Sequence, residues 1–235
     1  MVVTTKLGGA VHFLDLATGS PAPPSRNHPE TLTQAMAQGA VGGRPVVLTG
    51  GVSTSDVQRG CVQMWDPESG LPVGEPLLHD DIVQAVTVTT LHGLMVAVTR
   101  TQCGDLSIWG LATHRLLRHR STDLVSTWGG LALTEVAGRR VLVFGTQGRF
   151  DTAPDGGRGN FSGFRFDLVD LASLERLDQV WNSEVLSVTA AEQLLVVGCM
   201  CGRLALRCND TLVPRNQTRR QYQQNQGYFA GKRKG

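Results

Sequence analysis

One segment recurs five times along this chain, and its period limits the possible folds more than any other feature. Each copy runs from a short apolar stretch through a turn into an alternating strand that closes near a Trp-Asp pair, then ends in a polar turn. The copies occupy residues 9–19, 60–70, 104–113, 166–173 and 202–208, the last two progressively degraded. Aligning Leu14, Trp65, Trp109, Val169 and Arg207 gives steps of 51, 44, 60 and 38 residues. These straddle the roughly 40–45 residues of a unit built from four short strands. Such a unit exposes apolar faces on both sides, so it is stable only when stacked against neighbours.

Apolar runs at 45–49, 94–98, 140–144 and 194–198 precede the repeated strand and read as its neighbours. Earlier still, 32–36, 82–86, 124–128 and 185–188 read as innermost strands. β-branched content, two-residue alternation and Gly-rich turns favour strand over helix throughout. The expected fold class is therefore all-β: a β-propeller of four-stranded antiparallel blades, about four and a half to five in number. The first copy follows almost directly on Val2-Val3-Thr4 and lacks an inner strand, whereas copies two to five look complete. Two architectures fit that count: a five-bladed ring with one incomplete blade, or the C-terminal part of a larger propeller. An unpaired inner edge is an aggregation hazard, which favours the second.

With these residues in view, the chain resembles the WD-repeat family over residues 1 to about 214, as a divergent, bacterial (actinobacterial-like) member in its Arg-rich, Lys-poor composition. Trp65-Asp66 keeps the family's pair, and Leu78-His79-Asp80 matches its loop histidine, with His28 and His119 at comparable places. Departures are plain: no Gly precedes His79, Trp109 is followed by Gly110, and other copies carry Leu-Asp, Val-Asp or Arg-Cys. The resemblance implies structural roles for Asp15, Trp65, Asp66, His79, Trp109 and Asp170. It also implies a non-catalytic scaffold whose propeller faces meet a protein partner.

Charge divides the chain at the same boundary. Residues 215–235 contribute six basic side chains and no acid to a whole-chain charge of +2, so the preceding body carries −4. That tail reads as a disordered basic extension. Five scattered cysteines (Cys61, Cys103, Cys199, Cys201, Cys208) form no secreted disulfide framework and read as core thiols. The first residues lack the pattern of a secretory leader, and no apolar run is long enough to cross a membrane, so a cytoplasmic setting without membrane attachment is expected.

No catalytic motif is present in the sequence, and no cofactor or metal is expected. Cys199 and Cys201 would share one strand face, but no second pair supplies the usual ligands. The longest step contains an insertion, residues 147–163, that reads as a hairpin. Loops on rigid scaffolds carry recognition, so partner contact is placed there, with Phe150 and Phe161 as apolar anchors beside Arg149 and Arg158. Two other functions are the alternatives to this reading. A propeller hydrolase would need acids or histidines at inner-strand ends, where the runs above carry no charge. Nucleic-acid binding would rest on the tail alone, and no small-molecule substrate is indicated.

Overall fold

Strands whose two faces both meet protein should read as nearly continuous apolar runs, and the runs singled out above pair antiparallel in the way their alternation requires. The computed structural model describes residues 2–5, 10–14, 17–20, 26–27, 31–53, 59–122, 126–136, 138–147, 150–151, 160–161, 164–182, 185–191, 194–199 and 202–207. Every helix-or-strand element among them is a strand. The first sheet orders β1 (Val2–Thr5), β2 (Ala10–Leu14) and β3 (Arg26–Asn27). The second is β4 (Thr31–Val41), β5 (Arg44–Ser53), β6 (Gly60–Trp65) and β7 (Pro72–His79). In the third lie β8 (Val83–Leu91), β9 (Leu94–Thr101), β10 (Leu106–Gly110) and β11 (Arg115–Arg120).

The fourth sheet begins with β12 (Ser126–Val136) and β13 (Arg139–Gln147). A separate short pair follows, β14 (Phe150–Asp151) with β15 (Asn160–Phe161), before β16 (Phe164–Asp170) and β17 (Arg176–Asn182) complete the sheet. The fifth holds β18 (Val185–Ala191), β19 (Leu194–Cys199) and β20 (Gly202–Arg207). The first sheet shows three strands among the described residues. The fifth copy shows three strands among the described residues, and the expected tail lies outside them.

The innermost strands β4, β8, β12 and β18 meet in chain order. Among the described residues, one apolar core lies between the second and third sheets and another between the third and fourth. Leu48, Val62, Met64 and Leu77 of the second sheet pack against Val83, Val86, Ala97 and Leu111 of the third. On its other face, the third sheet sets Val96, Val98, Leu106 and Ile108 against Leu142, Phe144, Val169, Leu171 and Leu174. Ala97 thus turns one way and its neighbours Val96 and Val98 the other, which is why β9 reads as an unbroken apolar run. Each fully buried Leu, Ile or Val contributes about 1.5–3 kcal/mol.

The turn after the repeated strand keeps one geometry in the first four copies despite its drifting sequence. A left-handed residue follows five positions after four of the five aligned residues, Leu14, Trp65, Trp109 and Val169: Gly19 (φ 66°), Gly70 (φ 67°), His114 (φ 55°) and Leu174 (φ 59°). Asp66 Oδ1 accepts from Glu68 N at 2.8 Å and Asp66 Oδ2 from Ser69 Oγ at 2.9 Å. Asp170 Oδ1 repeats this with Ser173 N at 2.8 Å and Ser173 Oγ at 3.0 Å. Where Gly110 replaces the aspartate, the His114 N to Gly110 O bond (2.8 Å) still closes the turn. Leu174 tolerates a conformation that favours glycine because its side chain is buried in the second core.

His114 also ties this turn to the neighbouring sheet, since its Nδ1 lies 2.8 Å from Glu75 O on β7. The approach needs Gly74, whose φ is 65° and where any Cβ would strike the His114 ring. Gly74→Ala should therefore cost about 2 kcal/mol, the sum of left-handed strain and a lost hydrogen bond. Urea unfolding of the variant measures it, and a cost near zero would show that the contact carries no weight.

Candidate interaction surface

Residues expected to carry structure fall into two local arrangements. Trp65 is buried, and its Nε1 donates to Thr49 Oγ1 of β5 at 2.8 Å, which locks β6 to its neighbour. Trp109 takes the matching register against β9, opposite Ala97 as Trp65 lies opposite Val47. Its ring instead meets the buried His79 edge-on, with centroids 5.2 Å apart at 67°. Burial lowers the His79 pKa to about 4, helped by the nearby His119 and opposed by Asp80, Asp105 and Asp81. His119 shares its own contact with Ser107, Nδ1 to Oγ at 3.1 Å. Asp15 and His28 lie outside the described residues.

Of the expected partner-contact residues, Phe150 and Phe161 face each other in register across β14 and β15, with Asp151 opposite Asn160. Within the insertion, the described residues thus form one short antiparallel pair between β13 and β16. Arg149 and Arg158 lie outside the described residues. Among the cysteines, Cys61 is buried as read, but Cys103 is exposed. Its backbone N–H donates to Asp81 Oδ2 at 2.5 Å, and the adjacent Asp81 carboxylate raises the thiol's pKa, disfavouring a reactive thiolate. Among the described residues, no three His, Cys, Asp or Glu side chains gather as a metal site requires, and no helix is long and apolar enough to cross a membrane.

A feature that residue reading did not single out is the outer strand β11. Among the described residues it pairs with β10 on one side only and stands at the end of its sheet, with all six residues exposed. An extra residue interrupts the register between Ile108 and Trp109, so Gly110 faces Arg115, Ile108 faces Arg118 and Leu106 faces Arg120. Residues directly opposite share a face, and Leu106 and Ile108 turn toward the fourth sheet. The bulge thus brings Arg115, Arg118 and Arg120 onto one face although their spacing is unequal. Beside them opens a cleft of about 440 Å³ lined by Arg120, Ser121 and Thr122 with Phe144, Asp167 and Arg176 of the fourth sheet. Arg120 Nη1 donates to Leu174 O across it at 2.7 Å, and Arg176 Nη1 lies 3.8 Å from Asp167 Oδ1.

No family model matches this chain, and no curated protein matches it. Solved structures do. One similar chain, from the crystal structure of a mitotic checkpoint complex, aligns with a TM-score of 0.62 and 15% identity. The alignment covers 88% of this chain and 61% of that one, so this chain spans about three fifths of its neighbour's length. The chain is a β-propeller of four-stranded antiparallel blades. With 797 solved chains matching, the likeness speaks of fold and not of partner.

In propeller terms, the five sheets are successive blades and the insertion rises from the fourth, between its second and third strands. The basic stripe of β11 lies on the outer edge of the third blade, facing the fourth. Alternation could not expose it, because an outermost strand with both faces wet carries no apolar period. The available signal was compositional: three arginines and a histidine within six residues of the mildly acidic body.

Proposed function

We propose that this propeller is a divergent WD-repeat scaffold that binds a protein partner without catalysis, through its blade faces and the 147–163 insertion. The observation that carries this reading is the hairpin set on the fourth blade. There Phe150 pairs in register with Phe161, which places two aromatic residues at facing backbone positions beside the fourth blade. The neighbouring solved chain comes from a protein complex, which agrees with an interaction role. A bacterial, cytoplasmic setting accords with the Arg-rich composition and the scattered thiols.

Replacing residues 150–161 by a short glycine turn tests it. Partner capture should weaken about tenfold or more, which corresponds to roughly 1.4 kcal/mol, while the melting temperature holds. Unchanged capture by the shortened chain would sink the assignment of contact to this hairpin.

A further inference from the structure

The outer edge of the third blade combines three properties that point to a ligand. Among the described residues, its backbone is bonded to β10 on one side and to no strand on the other. Arg115, Arg118 and Arg120 share the face toward the cleft, with Arg176 on the cleft's far wall. Leu116 and Leu117 are 48% and 44% exposed, and Leu116 lies opposite Trp109 on the other face. Arg115 and Arg118 form no ion pair or hydrogen bond among the described residues.

We propose that β11 is a docking edge for an extended acidic segment of a partner protein, which adds to the third blade as a fifth strand. The segment would place carboxylates at every second position, over the arginine stripe, with apolar side chains between them meeting Leu116. This rests on the scaffold reading above and names a partner chemistry for it. A strand edge offers main-chain donors and acceptors, and alternate side chains then set specificity. Arginine forks suit carboxylates, and opposite charge steers encounter. A charged edge that served only to repel other strands would not present two adjacent exposed leucines. A nucleic acid would satisfy the arginines but leave the strand's backbone groups and leucines without partners.

The test uses the full chain and a fluorescent ten-residue peptide of alternating Glu and Val, followed by anisotropy. Arg115→Glu with Arg118→Glu should weaken binding about tenfold or more, and so should N-methylation of alternate peptide bonds in the probe. Both arginines are exposed, so the double variant should melt like the wild type. Equal binding of the N-methylated peptide would overturn strand addition. Tighter binding of a ten-residue oligothymidylate than of the peptide would overturn a protein ligand and assign the stripe to nucleic acid. If the peptide does not bind at all while deletion of residues 150–161 still abolishes partner capture, the docking edge falls and the scaffold reading stands.

Discussion

Arg100→Ala should destabilise the propeller by about 3–5 kcal/mol, a large share of the stability of an ordinary domain. Arg100 is the largest fully buried side chain among the described residues, and it spans the third and fourth blades. Its Nη1 donates to Gly145 O at 2.8 Å, and its guanidinium lies 4.4 Å from the centre of the Phe144 ring. Burial lowers its pKa to about 9, against the pull of the buried Asp167, so it is still charged at pH 7. Removing it opens a cavity and takes away a cation whose field acts on the buried Asp167, which lies 3.8 Å from the half-exposed Arg176. Both effects act in one direction.

A paired replacement separates them. Arg100→Met with Asp167→Leu fills the volume and removes both charges, so it should recover most of the loss and come within about 2 kcal/mol of wild type. Urea unfolding at pH 7 gives all three values. If Arg100→Ala costs less than about 1 kcal/mol, or the double variant is worse than the single, the buried cation is not what joins these blades.

Much of this interface was legible in sequence, and its exceptions have physical causes. The second and third strands of each blade were readable because β9 and β13 are buried on both faces and β6 and β10 end at the Trp-Asp position. Alignment of Leu14, Trp65, Trp109 and Val169 survives the loss of the Trp-Asp pair because the turn that follows is fixed by backbone geometry. Gly19, Gly70, His114 and Leu174 adopt the same left-handed conformation with unlike side chains. Outer strands β7, β11 and β17 were not legible, since each has a register shift near its turn, and β11, exposed along its whole length, carries no alternation. Arg100 itself was invisible in a run of threonines and valines, because its role depends on Phe144 and Gly145, which follow more than forty residues later. The docking edge was hidden for a related reason, since only the bulge places its arginines on one face.

Acidification should weaken the fold in a window set by His79. Its folded pKa of about 4 lies below the unfolded value of 6.5, because burial excludes the charged ring. The neutral form is thus favoured by folding, so this contribution is intact above pH 6.5 and is lost as pH falls from 6.5 toward 4. A difference of that size corresponds to roughly 3 kcal/mol across the window. His79 Nε2 has no hydrogen-bond partner among the described residues, and the ring rests on the edge of Trp109, so burial outweighs the pull of Asp80, Asp105 and Asp81 on a proton. Carboxylates also titrate near pH 4, so the informative quantity is the difference from His79→Phe, which keeps an aromatic ring against Trp109 and cannot be protonated. Stability followed by urea unfolding from pH 7 to pH 4.5 should fall more steeply in the wild type than in the variant. Parallel curves over that range would show that His79 is not buried as a neutral ring, and would undo the account of how the second blade's end is locked onto the third.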